Sequence, residues 1–289
     1  MKELRLNAYA KVNLTLDVLG RRPDGYHEIV TVLHTLELHD IVILREVERS
    51  VTVRCDHRAV PTDEQNLVFR TAQLLRDTYG VDRGIEIELR KHIPPASGLG
   101  GGSSDAAVTL LGLAQLWKLR LDGGELLSLA ARIGSDVPFF LAGGAALATG
   151  RGERLQYLPT LPSTWVVLLC PDFGIPTGWA YESLDRAGIT RHPDTEGTIQ
   201  ALRAGDVQGV AARLSNVFTP LVCAHHPLVG ELLERLRSAG ALGASMTGTG
   251  PAVFGLFAEE AVAREAIQAL SGTFPGQVIL TRTFAELER

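Results

Sequence analysis

From Leu4 to Val18 every even position is apolar: Leu4, Leu6, Ala8, Ala10, Val12, Leu14, Leu16 and Val18. The odd positions between Glu3 and Asp17 carry Glu3, Arg5, Asn7, Tyr9, Lys11, Asn13, Thr15 and Asp17. A period of two is that of a β-strand, whose successive side chains point to opposite faces. The pattern predicts one long strand with an apolar face on a core and a polar face turned away from it. Tyr9, Lys11 and Asn13 then stand in a row on the polar face. Pro23-Asp24-Gly25 follows as a turn, with a fixed φ, a side-chain acceptor and a residue free to take positive φ. Tyr26 and His27 leave that turn.

The same reading gives separate strands in "IVTVLHTLEL", "DIVILREV", "SVTVRC" and "GIEIELRKHI". "NLVFRTAQLLRDTYG" predicts a helix that starts near Asn66 and stops at Gly80. Ala107, Leu110, Leu111 and Ala114 recur at helical spacing, a further helix runs through "ELLSLAARIG", and a short one opens at "SDVPFFLAGG". "AALATGRGERLQYL" reads as a hairpin that turns at Gly150-Arg151-Gly152. "LPTLPSTW", with two prolines, is the linker candidate. Beyond it the order is strand "WVVLLC", helices, strands "GASMT" and "AVFGLF", helix "EEAVAREAIQALS" and strand "QVILTRTF". That β-α-β-β-α-β order is the signature of a ferredoxin-like split βαβ domain with extra helices in its first crossover. The expectation is two α+β domains, residues 1–159 and 160–289.

Composition narrows the chemistry. The 289 residues are 45% hydrophobic and 21% charged, with a formal charge of −5. This is a globular chain able to bury a large core. No basic stripe advertises nucleic acid or an anionic membrane, so any anion has to be held by local groups. Cys55, Cys170 and Cys223 lie far apart and form no CxxC pair, which suits a reducing compartment and packing roles. With no long apolar run at the start and none of membrane-spanning length, a soluble cytoplasmic protein is expected. His225-His226 are neighbours that cannot share a helix face, so they are not read as metal ligands.

The densest signal is "PPASGLGGGSSDAA", Pro94–Ala107. Gly98, Gly100, Gly101 and Gly102 allow positive φ and remove Cβ atoms, so successive N–H groups can converge on an anion. Ser103 and Ser104 add hydroxyls at a helix start, where unpaired amides and the helix dipole favour phosphate. Neither common phosphate loop fits. A P-loop needs GxxxxGK[ST], and no lysine follows these glycines. A dinucleotide fingerprint needs a glycine where Ser103 stands and a tight strand-to-helix turn, which Pro94-Pro95 spoils. A flexible linker before a capped helix is the bland alternative. Asp105 reads as a first-turn acid that complements the helix dipole, with an indirect metal role as the rival.

Taken together, the chain resembles the GHMP kinases. "AYAKVNLTLDV", "PPASGLGGGSSDAA" and "MTGTGPAVFG" look like that family's first, second and third motifs, in order. "AKVNLTLDVLGRRPDGYHEI", "QNLVFRTAQLL", "GSDVPFF" and "GIPTGWAYESL" are further similar to the branch acting on a cytidine-diphosphate-linked methylerythritol in non-mevalonate isoprenoid biosynthesis. The resemblance implies a ribosomal-S5-like ATP-binding domain followed by the ferredoxin-like one, with phosphoryl transfer from ATP to the substrate's 2-hydroxyl. It assigns Asp136 as catalytic base and Lys11 as the cation beside the reacting groups. The ATP site comprises Pro95, Ser97, Gly98, Leu99, Gly100, Gly101, Gly102, Ser103 and Ser104, with Asn66 near the nucleoside. Substrate contacts fall to Asn13, Tyr26, His27, Thr247, Gly248 and Tyr181, with Trp179 as the rival second aromatic of the nucleobase pocket.

Without the resemblance, other roles stand beside these. Asp136 and Asn66 could be plain N-caps, Lys11 a solvated lysine on a sheet face, and "TGTGP" a hairpin turn. Mg²⁺ should accompany the nucleotide, leaning on phosphate oxygens, with no dedicated protein metal cage. The substrate is a small molecule, with no nucleic acid or membrane partner, and the protein is a monomer or homodimer. Two alternatives remain: a homoserine- or mevalonate-type kinase of the same family, and an S5-like RNA-binding module.

Overall fold

The structure, a computed structural model, describes residues 2–284. Two compact units form, and neither is one continuous stretch of chain. The first takes residues up to Ala10, Leu38–Pro95 and Gly100–Ala142; the second takes Lys11–Glu37, Ala96–Leu99 and the described chain from Gly143 onward. This division differs from a single cut at residue 159 because two long strands, β1 (Glu3–Arg21) and β2 (His27–Val47), each contribute residues to both units.

β2 replaces the two strands expected from "IVTVLHTLEL" and "DIVILREV". The polar His39-Asp40 pair looked like a break. Instead Asp40 is fully buried and accepts the backbone N–H groups of His92 (2.6 Å) and Ile93 (2.8 Å), so the strand passes through it. A carboxylate bonded in this way does not need to leave the core.

In the first unit β3 (Val51–Cys55) runs parallel to β4 (Gly84–Arg90), and β4 pairs antiparallel with Ile41–Val47 of β2. Helix α1 (Leu67–Tyr79) starts at its Asn66 cap and ends at Gly80, whose φ of 62° is the left-handed C-cap expected there. Helices α2 (Gly101–Trp117), α3 (Gly123–Ile133) and α4 (Val137–Ala142) complete the unit. α2 buries Ala106, Ala107, Leu110, Leu113 and Trp117 and packs against both α1 and α4. The helix behind the glycine loop is therefore a core element and anchors the loop's end.

In the second unit β5 (Ala145–Gly150) and β6 (Arg154–Leu158) form the expected hairpin, and β5 pairs with Ile29–His34 of β2. Next come β7 (Trp165–Pro171), α5 (Thr177–Ala187), α6 (Thr195–Arg203), α7 (Val207–Ala211), β8 (Ser215–Asn216), α8 (Thr219–His225) and α9 (Pro227–Ser238). The chain ends through β9 (Gly243–Met246), β10 (Val253–Phe257), α10 (Glu260–Leu270) and β11 (Gly276–Arg282). The four-stranded sheet has order β11-β7-β10-β9 with every neighbour antiparallel, the ferredoxin-like arrangement that the element order predicted. Val167, Leu169, Phe218, Leu232, Met246 and Phe257 lie in its core.

β8 was not foreseen. It is two residues long, too short to carry a hydrophobic period, and pairs parallel with β1 at Thr15 and Leu16. The polar side of β1 also differs from expectation. Its alternation is real, but Lys11 (3% exposed), Asn13 (4%), Thr15 (0%) and Asp17 (5%) are all buried. Period two reports which residues share a face; it does not report whether something covers that face.

Candidate active site

Asn13 is the hub of the second unit's polar cluster. Its side-chain oxygen accepts from Lys11 Nζ (2.7 Å), from the backbone N–H of Gly248 (2.8 Å) and from the Thr247 hydroxyl (3.1 Å). Its amide nitrogen donates to Thr31 Oγ1 (2.8 Å), and that hydroxyl donates to the carbonyl of Thr15 (2.6 Å). A buried amine is costly unless hydrogen-bonded, and Asn13 supplies one of the acceptors that orient Lys11. Four residues assigned to the site from the sequence, Lys11, Asn13, Thr247 and Gly248, thus form one network.

The strip Ala96–Leu99 is held against this network from three sides. Leu99 carbonyl accepts from Lys11 N–H (2.9 Å), Ser97 carbonyl accepts from Ala252 N–H (3.2 Å), and Gly98 carbonyl lies 3.2 Å from the Thr247 hydroxyl, sharing its single hydrogen with Asn13 Oδ1. Gly98 has φ +84°, and a Cβ there would lie 2.3 Å from the Thr247 carbonyl oxygen. Two glycine turns from distant motifs meet backbone to backbone, which is why both are bare. Asn216, which sequence reasoning missed, donates to the carbonyls of Met246 (2.9 Å) and Gly248 (2.8 Å) and so holds the second turn.

The remainder of the loop belongs to the first unit. Gly100, at φ +76°, is the N-cap of α2, and no side chain caps the helix. The amides of its first turn therefore keep their donors for a ligand, with the positive end of the dipole behind them. Ser104 is 1% exposed whereas Ser103 is partly exposed, so Ser103 is the more accessible hydroxyl.

Beneath that turn Lys91 Nζ bonds both Asp40 and Asp105, the latter at 2.6 Å. Asp105 is neither a cap nor a solvent-facing dipole partner; it is 2% exposed, and its Oδ1 has no partner. Burial is the largest influence on it and pushes its carboxyl up to about 7, against the pull of Lys91. Burial also works to lower Lys91, but the summed attraction of Asp105 and Asp40 outweighs it and the amine is raised. A Cβ on Gly101 would meet Ile93 at 3.0 Å and Asp40 Oδ2 at 3.3 Å, so this glycine makes room for the ion cluster.

Asn66 caps α1 by accepting from Val68 N–H (3.0 Å), and its amide donates to the Pro61 carbonyl (2.6 Å). The side chain is thus engaged at both ends. Pro95 is partly buried ahead of the glycines. Asp136 is partly buried immediately before α4. It lies in the first unit and Lys11 in the second.

An aromatic cluster stands at the head of β2. The His27 ring stacks on Tyr181 of α5, centroids 4.6 Å apart with planes 28° from parallel. Trp179 instead packs edge-on to His225 at 5.1 Å, so Tyr181 is the aromatic that partners His27. Tyr26 is 54% exposed, with the Arg151 guanidinium 4.8 Å above its ring. Arg151 and Asp185, which bonds His27, were not singled out in the sequence. Arg151 was visible only as a turn residue and Asp185 only as a helix polar residue.

Among the described residues no group of three or more His, Cys, Asp or Glu side chains could hold a metal ion, and no helix is long and apolar enough to cross a membrane.

Comparison with known proteins agrees with this geometry. The family model for the GHMP kinases N terminal domain matches residues 66–144, and that for the GHMP kinases C terminal matches residues 198–276. A 4-diphosphocytidyl-2-C-methyl-D-erythritol kinase from Pelotomaculum thermopropionicum is 44% identical over 278 residues, 96% of each chain. The enzyme of that name from Alkaliphilus metalliredigens is 39% identical over 274 residues, 94% of each chain. A crystal structure of 4-(cytidine 5'-diphospho)-2C-methyl-D-erythritol kinase superposes with a TM-score of 0.82 at 34% identity, covering 97% of this chain and 100% of the other. With the bare glycine loop at a helix start, the buried Lys11–Asn13–Thr247 network and both family domains in order, this chain belongs to the GHMP kinases, enzymes that phosphorylate small molecules at the expense of ATP.

Proposed function

We propose that this kinase transfers the γ-phosphoryl group of ATP to the 2-hydroxyl of 4-diphosphocytidyl-2-C-methyl-D-erythritol, a step of non-mevalonate isoprenoid precursor synthesis carried out in the cytoplasm. The observation that carries the reading is the full-length similarity to kinases of that name, joined to the His27–Tyr181 stack beside the exposed Tyr26 ring. A homoserine- or mevalonate-sized substrate has no use for a nucleobase-sized aromatic site.

An alcohol is a weak nucleophile and the transferred group is strongly anionic, so catalysis rests on positioning, proton removal and electrostatic stabilisation. In this reading Asp136 accepts the proton of the 2-hydroxyl. Lys11, oriented by Asn13, stabilises the deprotonating oxygen and the charge on the passing phosphoryl group. The first-turn amides of α2, with Ser103, Ser104 and the Pro95–Gly102 strip, cradle the nucleotide's phosphates, and Asn66 lies near its nucleoside. Thr247 and Gly248 face the substrate end. Tyr26, His27 and Tyr181 take the cytosine, with Asn13 as a further substrate contact. A Mg²⁺ ion would accompany the nucleotide, held mainly by phosphate oxygens and water. When bound, that ion neutralises phosphate charge; the side chains named here do the rest.

A coupled ADP-release assay tests the proposal with the cytidine diphosphate substrate, homoserine and mevalonate offered separately. Turnover of the first alone is expected. Comparable turnover of either of the others overturns it.

A further inference from the structure

His27 is constrained on two sides by one helix. Tyr181 and Asp185 lie four residues apart on α5, hence on the same helical face. The first covers the ring face of His27, and the second bonds its edge, with Asp185 Oδ1 2.8 Å from Nε2. Tyr181 is itself held edge-on against the fully buried Phe218, centroids 4.9 Å apart. The imidazole plane is therefore set by a ring contact and its rotation by a carboxylate.

The carboxylate also sets the tautomer. An ionised Asp185 has only acceptors, so the nitrogen that faces it must carry hydrogen. In the neutral ring the proton sits on Nε2 and Nδ1 presents a lone pair. Among the described residues, Nδ1 has no hydrogen-bond partner. An acceptor held at a fixed place in a nucleobase pocket selects a donor. Cytosine offers an exocyclic amino group on its pairing edge; uracil has a carbonyl oxygen at that place, which would meet the lone pair acceptor to acceptor.

We propose that Asp185 is a positioning residue that makes His27 discriminate cytidine from uridine diphosphate ligands, by holding the imidazole as an Nδ1 acceptor. This rests on the reading that the substrate carries cytosine. The same contact explains why a helix residue 158 positions away belongs to the pocket: a free histidine would populate both tautomers and tolerate either base.

The test uses the full chain with ¹⁵N-labelled histidine at about pH 8, above the ordinary imidazole range, and competition binding of CDP and UDP. Wild-type His27 is expected to show a protonated Nε2 and a pyridine-like Nδ1, and to bind CDP the more tightly. In Asp185→Ala the His27 signals should move to the averaged values of mixed tautomers, with the CDP:UDP preference falling on the order of tenfold, the scale of one net hydrogen bond. Asp185→Glu should restore both. A proton on Nδ1 in the wild type, or an Asp185→Ala protein that weakens for CDP and UDP equally, overturns the positioning role. A wild type indifferent to the base removes the cytosine reading as well, whereas a wild-type preference that survives Asp185→Ala removes the role of Asp185 alone.

Discussion

Asn13 and Thr247, 234 positions apart, bond each other twice: Asn13 N–H donates to the Thr247 hydroxyl at 3.2 Å, and that hydroxyl donates to Asn13 Oδ1 at 3.1 Å. The first and third of the GHMP kinases' sequence motifs are thereby one structural object, and Lys11 hangs from it.

Asn13→Ala should therefore injure both fold and chemistry. It leaves the Gly248 amide without its Asn13 acceptor, at roughly 1–3 kcal/mol for an orphaned group, and removes one acceptor of the buried Lys11 amine. A stability loss of about 3 kcal/mol in urea unfolding is expected, with a fall in kcat. Thr247→Ser, which keeps the hydroxyl, should retain most of both. A wild-type midpoint for Asn13→Ala would show that the network contributes little.

Two glycines of the loop should respond differently to the same change. At Gly98 an alanine would put its Cβ 2.3 Å from a backbone oxygen at φ +84°. About 2–4 kcal/mol of destabilisation follows from the left-handed conformation plus the displaced Thr247 turn. At Gly102 a Cβ meets nothing within 4 Å, so Gly102→Ala should melt like the wild type while raising the KM for ATP. Differential scanning calorimetry and ATP titration separate the two.

The catalytic assignment predicts a split between activity and fold. Asp136→Asn removes a proton acceptor with little change of shape and should lower kcat by about 10²–10⁴, with an unaltered melting temperature. Lys11→Met keeps the stem of a buried chain and removes its charge; the loss should again fall on kcat. Unimpaired turnover in Asp136→Asn would take it out of the reaction.

Acid stability should reveal two opposing groups. Burial lowers His34 to about 4; one of its ring nitrogens bonds the Thr35 carbonyl (2.8 Å), and Nε2 accepts from Leu161 N–H (3.0 Å). Between about pH 4 and the unfolded histidine range near 6.5, the unfolded chain holds the extra proton, so this group makes stability rise with pH. Asp105 acts with the opposite sign. Its folded carboxyl, raised by burial to about 7, holds a proton that the unfolded chain has released, so stability falls as pH climbs from about 4 to 7. Asp105→Asn should steepen the rise with pH across that window, measured by urea melts at stepped pH. An unchanged slope would show that Asp105 is ionised throughout.

Much of this protein was legible in residue order because the signals are local. The period of two along β1, the Asn66 and Gly80 ends of α1, the hairpin at Gly150–Gly152 and the β-α-β-β-α-β order all follow from backbone geometry and capping chemistry that a short window contains. The expectation of a phosphate site at the bare glycine loop is local for the same reason, since the missing Cβ atoms are themselves the signal.

Tertiary structure alone decided what covers each face. It buried the polar row of β1, made one strand of two by giving Asp40 backbone donors, turned Asp105 from a surface acid into part of a buried ion cluster, and brought Asp185 to His27. Each of these depends on partners tens to hundreds of positions away. A sequence specifies what a side chain can bond, but burial and pairing are properties of the packed chain.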